Sequence, residues 1–328
     1  MMDKIQFMIG AGSSACGKTT LSLGLMRALH KRGYNVQPFK CGPDYIDTKH
    51  HAAAAGRASV NLDTFLSSRE HVLEIYSRYG TRSDACVVEG IKGLYDGYDK
   101  NIGSSADIAM LLGLPVILVV DSTSRSYSVA PLLYGLKNFD KRLNIAGVIF
   151  NSVSSRRHYH ILKEAAYDVG IEPLGFLRRE AALEIPSCGL GLNIDPEFCF
   201  NEFADLIASA VEKSIDLDKI IEKCSIPFKS EPAGPVPLSR NLRISVAHDD
   251  AFNFYYEENI EILSKYGKVT YFSPMNDEKL PPTDFLYLPG GYIELYLPQL
   301  ASNRKMLASI RNFCNDGGRT LAECGGMI

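Results

Sequence analysis

The sequence predicts an α/β protein in which two parallel-sheet units follow one another along the chain. First, short apolar runs rich in β-branched residues alternate with segments of helical periodicity. Second, residues 12–19 match a complete phosphate-binding loop, placed between the first predicted strand and the first predicted helix. Third, residues 225–241 contain four prolines and little periodicity, which is typical of a linker between domains.

The first unit, residues 1–224, shows a repeated strand–helix order. Strands are predicted at 5–10, 34–39, 85–89, 115–120, 145–150 and 173–177. Helices are predicted at 17–32, 65–79, 126–138, 156–169 and 200–214. This order favours a parallel sheet with helices on both faces. In such sheets ligands bind at the carboxyl ends of the strands, so that edge is where site residues are sought.

The second unit, residues 242–328, repeats the alternation on a smaller scale. Strands are predicted at 242–247, 268–272, 285–288 and 319–322, and helices at 254–266 and 303–314. The last predicted strand is followed by only six residues and by no closing helix. We therefore expect an incomplete α/β unit with an uncovered sheet face or edge.

The bulk properties of the chain exclude several classes of protein. The net charge of −3 over 328 residues argues against binding to nucleic acids or to anionic membrane surfaces, which needs a basic surface. No apolar run has the length of a membrane span, and the N-terminus lacks a secretory signal. Eight cysteines are scattered without a Cys-x-x-Cys pair, which favours reduced thiols and a cytoplasmic location.

The loop at 12–19 predicts nucleotide binding. Gly12 and Gly17 let backbone N–H groups curl around a phosphate, and the helix that follows directs its positive end to the same place. Lys18 can reach the terminal phosphates, and the hydroxyl of Thr19 can bind Mg²⁺.

Charged residues follow two other predicted strands. Lys40, Asp44 and Asp47 come directly after the second strand, where the lysine can neutralise phosphate and the carboxylates can hold Mg²⁺. The alternative is a surface loop in which aspartate stabilises a turn. Glu89 ends the third strand and can serve the same metal, the alternative again being a turn cap.

A possible thiol nucleophile lies in the second unit. Cys324 stands between an apolar strand and two glycines, as in a nucleophile elbow, and Gly290 and Gly291 could donate N–H groups to an oxyanion. A thiol nucleophile needs a base, and His248 is the only histidine of this unit. The residues favour a loop role for His248, and they leave open whether Cys324 is a nucleophile or a packed thiol.

These motifs resemble those of the cobyrinic acid a,c-diamide synthases, glutamine-dependent amidotransferases of corrinoid biosynthesis. The resemblance covers essentially the whole chain, and its matching stretches are 17–26, 36–47, 88–97, 249–256, 290–296 and 322–326. The segments Gly-Pro-Asp-Tyr-Ile-Asp at 42–47 and Gly-Leu-Tyr-Asp-Gly at 93–97 are far more specific than the phosphate loop.

The resemblance implies a two-domain enzyme, with a P-loop domain similar to dethiobiotin synthetase followed by a domain similar to class I glutaminases. The implied reaction uses ATP and Mg²⁺ to phosphorylate the a and c carboxylates of cobyrinate. Ammonia, supplied directly or from glutamine, then displaces phosphate from each acyl phosphate. The implied partners are thus a corrinoid acid and glutamine or ammonia, and a homodimer is left open.

The resemblance also assigns roles to residues. Those implied to bind ATP are Gly12, Gly17, Lys18, Thr19, Thr20 and, at the adenine edge, Asn151. Those implied to serve Mg²⁺ are Thr19, Asp44, Asp47 and Glu89, with Lys40 on the phosphates. Those implied to border the corrinoid are Tyr45, Ile46, Leu94, Tyr95 and Asp96. Cys324 is the implied glutaminase nucleophile, with Gly290 and Gly291 at the oxyanion.

The chain departs from the family pattern at two places. Ile293 stands where the family has proline, which gives this loop a freer backbone. Family members continue well beyond the nucleophile, where their catalytic histidine lies, whereas this chain ends four residues after Cys324. We therefore expect a C-terminally truncated glutaminase and amidation driven by ammonia. The alternatives are a diamide synthase for nickel sirohydrochlorin or metal-free hydrogenobyrinate, and a non-catalytic nucleotide-binding remnant.

Overall fold

Strands and helices alternate along both units of the chain. The structure, a computed structural model, describes residues 3–183, 187–188, 191–192, 199–230 and 241–328. It divides into two compact units, Met1–Ala233 and Gly234–Ile328. No helix in these described ranges is long and apolar enough to cross a membrane.

The first unit is a parallel sheet flanked by helices. Its strands are β1 (Asp3–Ala11), β2 (Val36–Cys41), β3 (Val60–Leu62), β4 (Ala85–Glu89), β5 (Val116–Asp121), β6 (Ile145–Val153), β7 (Pro173–Arg178), β8 (Ser187–Cys188), β9 (Gly191–Leu192) and β10 (Ser225–Pro227). Its helices are α1 (Lys18–Lys31), α2 (Asp47–Ala55), α3 (Arg69–Gly80), α4 (Ser105–Leu112), α5 (Val129–Asn138), α6 (Arg156–Asp168), α7 (Phe200–Ser214) and α8 (Leu217–Cys224).

The main sheet has the strand order β3-β2-β4-β1-β5-β6-β7, with every neighbouring pair parallel. Strand β10 adds antiparallel to the first residues of β1, and β8 pairs with β9 separately. Because β1 lies at the centre, the loop that follows it is flanked by the loops after β4 and β5. The carboxyl ends of all seven parallel strands therefore share one edge, which is where the predicted site residues lie.

The central strand is apolar throughout because helices cover both faces of the sheet. Phe7, Met8 and Ile9 of β1 are fully buried, and their side chains belong to the two core clusters on opposite faces. Local capping sets several helix starts: the hydroxyls of Ser68, Ser104 and Ser155 accept N–H groups in the first turns of α3, α4 and α6.

Helices α1 and α7 pack closely where Gly24 faces α7. A Cβ added at Gly24 would lie 2.5 Å from Cγ2 of Ile207 and 2.7 Å from Cγ2 of Val211, both fully buried. In α5, by contrast, a Cβ added at Gly135 would meet nothing within 4 Å. The two helical glycines thus differ in the space beside them, and only Gly24 is required by packing.

We expect Gly24→Ala and Gly135→Ala to change stability in opposite directions. Gly135→Ala should stabilise by about 0.5–1 kcal/mol, since alanine loses less backbone entropy in a helix. Gly24→Ala should destabilise by about 1–3 kcal/mol because it overpacks the α1–α7 contact. Urea unfolding of both variants measures the difference. A stabilised Gly24→Ala variant would contradict the packing described here.

The second unit is a smaller parallel sheet. Its strands are β11 (Leu242–Ala247), β12 (Gly267–Phe272), β13 (Phe285–Leu288) and β14 (Arg319–Ala322), in the order β12-β11-β13-β14. Its helices are α9 (Glu257–Tyr266), α10 (Leu297–Ser302) and α11 (Arg304–Asn315). Strand β14 is an edge strand, and the side chain of Leu321 is 45% exposed there, as expected for a sheet with an uncovered edge.

The structure contains elements that the sequence did not predict. Periodicity missed the helices α2, α4, α8 and α10 and the strands β3, β8, β9 and β10. Helix α2 is short and alanine-rich, so it carries little hydrophobic periodicity. The first three residues of the predicted linker 225–241 belong to the first sheet, because Ser225–Pro227 form β10 and pair with β1. Residues 231–240 of that segment lie outside the described residues.

Candidate active site

The phosphate loop lies at the carboxyl end of β1 and is held by β6. Gly17 has a φ of +88°, and a Cβ there would lie 2.1 Å from Nδ2 of Asn151. Both observations exclude a side chain at position 17. The amide of Asn151 donates to the carbonyl of Cys16 at 3.1 Å. Asn151 therefore contacts the loop directly, while its predicted contact with adenine stays a prediction.

The ammonium group of Lys18 is held by backbone carbonyls. Its Nζ donates to the carbonyl of Ser13 at 3.1 Å and to the carbonyl of Lys92 at 2.6 Å. Burial lowers the pKa of Lys18, an effect that the charge of Glu89 partly offsets. These carbonyls neutralise no charge, so an anionic ligand is a stronger partner for this ammonium group.

A cavity of about 600 Å³ opens beside this loop, which is within the size range of small-molecule sites. Its lining contains predicted residues from β2, β4 and β6 and from the segments that follow β1 and β2: Gly17, Lys18, Thr19, Thr20, Lys40, Asp44, Asp47, Glu89 and Asn151. Gly12 begins the loop, is exposed and is not part of the lining. The sheet therefore gathers predicted residues that are far apart in sequence.

Lys40 and Glu89 are neighbours because β2 and β4 pair in parallel with these two residues in register. The Nζ of Lys40 lies 2.8 Å from Oε1 of Glu89 and 3.6 Å from Oδ2 of Asp44, and it also donates to Oδ2 of Asp47. The hydroxyl of Thr19 donates to the same Oε1 of Glu89 at 2.8 Å. We call Lys40, Asp44, Asp47 and Glu89 the charged cluster.

Lys40, Asp47 and Glu89 of the charged cluster are buried, whereas Asp44 is half-buried, and the ionisation of the buried three depends on their pairing. Burial opposes the charge on Glu89, but Lys40 and His51 outweigh it and hold the pKa of that carboxyl well below its usual range. Burial likewise lowers the pKa of Lys40, but Glu89 and Asp47 outweigh it and keep that pKa above its usual value. Burial and the charge of Glu89 raise the pKa of Asp47. Lys40 and Glu89 thus form a charged pair.

The charged cluster and Thr19 bring together oxygen atoms, and their predicted binding of Mg²⁺ stays a prediction. The hydroxyl of Thr19 lies 2.8 Å from Oε1 of Glu89 and 3.5 Å from Oδ2 of Asp47, and such oxygens suit this hard cation. Within the described ranges, no group of three or more His, Cys, Asp or Glu side chains is arranged to hold a metal ion.

Asp44 has the turn role that the sequence gave as the alternative, and its predicted role at Mg²⁺ stays a prediction. Its Oδ1 accepts the backbone N–H groups of Ile46 and Asp47, both at 3.0 Å, and so stabilises the turn into α2. Its Oδ2 faces Lys40. The side chains of Tyr45 and Ile46 are half-buried beside this turn, so their predicted contact with substrate remains a prediction.

The predicted substrate loop after β4 needs one correction. Leu94 is 1% exposed and belongs to the core, where its Cδ1 would meet a Cβ added at Gly10 at 2.8 Å. Its side chain therefore cannot border a substrate. Tyr95 is half-buried and donates to the carbonyl of Leu136 at 2.8 Å. Asp96 is exposed and accepts the N–H of Gly93 at 2.9 Å.

Cys324 lies two residues after the end of β14, with the backbone geometry of a strained turn. Its φ is +50°, which is rare for a residue other than glycine, and its side chain is exposed. A Cβ added at Gly290 would lie 2.9 Å from Cβ and 3.2 Å from Sγ of Cys324. Gly290 thus lies beside the thiol, and the predicted role of Gly290 and Gly291 at an oxyanion stays a prediction.

His248 lies with tyrosines of the second unit. Its Nδ1 is 2.8 Å from the hydroxyl of Tyr255, and its ring centroid is 5.2 Å from that of Tyr271. These contacts agree with the loop role that the residues favoured. Beside Cys324, the carboxylate of Glu323 accepts the hydroxyl of Tyr287 at 2.5 Å.

Comparison with known proteins decides the family. The model of the CobQ/CobB/MinD/ParA nucleotide binding domain matches residues 7–192, and that of the CobB/CobQ-like glutamine amidotransferase domain matches residues 243–328. Cobyrinate a,c-diamide synthase of Picrophilus torridus is 45% identical over 98% of this chain and 74% of its own length. This chain belongs to the cobyrinate a,c-diamide synthase family. The enzymes of Streptococcus sanguinis and Caldanaerobacter subterraneus are 40% and 41% identical, with 98% of this chain covered in both cases.

Membership of the cobyrinate a,c-diamide synthase family confirms the predicted α/β fold class and the predicted amidotransferase class. The chain spans about three quarters of the length of these relatives. Among solved structures, the cell division protein FtsY of Thermotoga maritima covers 62% of this chain and 68% of its own, with 15% identity. Its TM-score of 0.43 is too low to support an argument.

Two features of this family member were not predicted from its sequence. Arg178 and Arg179 line the cavity at the carboxyl end of β7. Their position directly after a predicted strand was a signal that could have found them. The Nε2 of His51 lies 2.7 Å from Oε2 of Glu89. Periodicity gave no signal for His51, because α2 was not predicted.

Proposed function

We propose that this chain amidates the a and c side-chain carboxylates of cobyrinate through acyl phosphates formed with ATP. The observation that carries the proposal is the convergence of Lys18, Thr19 and the charged cluster on one cavity. Family membership supplies the substrate, since the relatives described above are named cobyrinate a,c-diamide synthase. Reduced, free cysteines favour the predicted cytoplasmic location, which stays a prediction.

The first unit would bind ATP at its phosphate loop. Backbone N–H groups around Gly17 and the N-terminus of α1 point to the cavity and favour a phosphate there. Lys18 would exchange the carbonyls of Ser13 and Lys92 for the terminal phosphates. Thr19, Asp47 and Glu89 would hold Mg²⁺, which when bound offsets the negative charge of the phosphates.

The chemical step joins two anions. A carboxylate oxygen of the substrate attacks the γ-phosphorus, the bond to the β-phosphate oxygen breaks, and ADP leaves with that electron pair. Lys18 and Lys40 lower the repulsion between the anions. The nitrogen of ammonia then attacks the acyl carbon, phosphate leaves, and the nitrogen loses a proton to give the amide. Tyr45, Ile46, Tyr95 and Asp96 would border the corrinoid.

The second unit would release ammonia from glutamine. The sulfur of Cys324 would attack the amide carbon, and N–H groups of the Gly290–Gly291 loop would stabilise the oxyanion. The acyl–nitrogen bond breaks, the leaving nitrogen takes up the proton that the thiol lost and departs as ammonia, and water hydrolyses the thioester to glutamate and free thiol. The structure assigns no base to Cys324 among the described residues, so free ammonium is the second nitrogen source that we propose.

The test is corrinoid-dependent turnover. The purified chain is mixed with ATP, Mg²⁺ and cobyrinate, and with either glutamine or ammonium, and the products are separated by mass spectrometry. We expect monoamide and diamide products, with ADP released only when the corrinoid acid is present. ATP binding without corrinoid-dependent ADP release would refute the proposal. A preference for nickel sirohydrochlorin or hydrogenobyrinate in the same assay would replace cobyrinate as the proposed substrate.

Cys324→Ala separates the two nitrogen sources. We expect this variant to keep ammonium-dependent amidation, because the thiol belongs to the second unit and contacts the Gly290 loop there. We expect it to lack glutaminase activity, measured as glutamate release. Cys314→Ala is the matched control, since Cys314 is also an exposed thiol of the second unit. If Cys324→Ala lost ammonium-dependent amidation to the same extent as glutaminase activity, the role proposed for Cys324 would be contradicted.

A further inference from the structure

The two carboxylate oxygens of Glu89 face different partners. Its Oε1 accepts the hydroxyl of Thr19 and the ammonium group of Lys40, both at 2.8 Å. Its Oε2 lies 2.7 Å from Nε2 of His51. The side chains of Glu89 and His51 are 1% and 0% exposed. One oxygen of Glu89 therefore faces the cavity, and the other is bound to a buried histidine.

The imidazole of His51 is held at both nitrogens. Its Nδ1 lies 3.3 Å from the hydroxyl of Ser59, which is also buried. Since a carboxylate only accepts hydrogen bonds, Nε2 carries the hydrogen that is donated to Glu89. Ser59 on the other side of the ring fixes its orientation, as the partners of a working histidine commonly do.

Helix α2 places His51 and Asp47 on the same face. The two residues are four positions apart, one helical turn, so both side chains point towards the end of β4. Asp47 contacts Lys40 and Thr19 there, while His51 contacts Glu89. One short helix thus supplies a residue to the cavity and a second residue that lies behind it.

We infer that His51 is a positioning residue for the nucleotide–metal site, holding Glu89 so that its Oε1 faces Thr19. The inference rests on the proposed function only in assigning Glu89 and Thr19 to Mg²⁺ bound with ATP. Without a donor at position 51, Oε2 would be a buried, charged oxygen with no partner, which is costly. Glu89 would then rotate towards another donor, and its Oε1 would leave the cavity.

Two amide substitutions provide the test, because each reproduces one ring nitrogen. His51→Gln places an NH₂ group near the position of Nε2 and keeps a donor for Glu89. His51→Asn is shorter, places its amide near Nδ1, and can serve Ser59 but not Glu89. Both variants remain polar and differ by one methylene. His50→Asn is the positional control, since His50 stacks on Phe200 at 4.9 Å rather than contacting Glu89.

The readout is ATP binding by calorimetry, with Mg²⁺ and with EDTA, in the absence of corrinoid. We expect His51→Asn to weaken Mg²⁺-dependent ATP binding by about 10–100-fold, the usual effect of losing a residue that orients a metal ligand. We expect metal-free ATP binding to change less than about twofold, as for a ligand that contacts the loop alone. His51→Gln and His50→Asn should stay near the unmodified chain.

A merely structural role would give a different pattern. It would weaken metal-free and Mg²⁺-dependent binding equally, or it would leave His51→Gln as impaired as His51→Asn, and either result overturns the inference. If His51→Asn does not fold, Ser59→Ala replaces it in the test. We expect Ser59→Ala to weaken Mg²⁺-dependent ATP binding by less than His51→Asn would, and unchanged binding in this variant would contradict the inference. Because no corrinoid is present, failure of this test is distinct from failure to amidate cobyrinate.

Discussion

Replacing Lys40 by methionine is expected to destabilise the first unit and to remove most amidation activity. Lys40 is 3% exposed and is the cation that contacts Asp44, Asp47 and Glu89. Methionine fills a similar volume but leaves buried carboxylates without a counter-charge. Breaking such a buried pair on one side costs about 3–5 kcal/mol. The loss of a cation at the phosphates should lower the amidation rate by about 10²–10³-fold.

Denaturant unfolding and the ammonium-dependent assay measure the two effects of Lys40→Met. The double variant Lys40→Met/Glu89→Gln is the informative control, because it removes one of the charges that Lys40 neutralises. We expect it to recover part of the stability and none of the activity. A single variant as stable as the unmodified chain would contradict the buried charged pair between Lys40 and Glu89.

Replacing Lys18 by methionine is expected to abolish ADP formation while leaving the fold intact. The lysine of a phosphate loop typically reaches the terminal phosphates, and we propose this role for Lys18. Electrostatic stabilisation by such a group is worth at least about 10²–10³-fold in rate. The fold should tolerate the change, because the partners of Lys18 are the carbonyls of Ser13 and Lys92 at the cavity, which water can reach.

Lys31→Met is the matched control for Lys18→Met. Both lysines belong to α1, but Lys31 is 48% exposed and forms a surface pair with Asp205. Exposed pairs contribute little, so the stability and the turnover of this control should change only slightly. Cobyrinate-dependent ADP release, measured at saturating ATP, compares the two variants. Substantial ADP release by Lys18→Met would contradict its role at the phosphates.

The part of the candidate site that the sequence predicted is the phosphate loop, because a local motif determines the structure there. Gly17, Lys18 and Thr19 belong to one motif, and the motif itself requires the turn and the start of α1. The positions of Lys40 and Glu89 were predicted only as strand ends. That they touch follows from the register of β2 beside β4, and strand order is a long-range property that periodicity does not contain.

The errors have a common physical origin. Leu94 lies in a motif that the resemblance linked to substrate, yet its side chain turns into the core beside Gly10. Which face of a loop a side chain occupies depends on packing with distant residues. His51 was missed for the same reason, because its partner Glu89 is 38 positions away and α2 has almost no amphipathic pattern.

The bond from Asn151 to Cys16 has a consequence for the affinity of the site. A glycine-containing loop has many accessible conformations, and ordering it when a ligand arrives would reduce the binding free energy. The asparagine of strand β6 donates to the carbonyl of Cys16 and so ties the loop to the sheet. Such a bond reduces the number of conformations open to the loop in the folded chain, so less conformational entropy remains to be lost when a ligand binds.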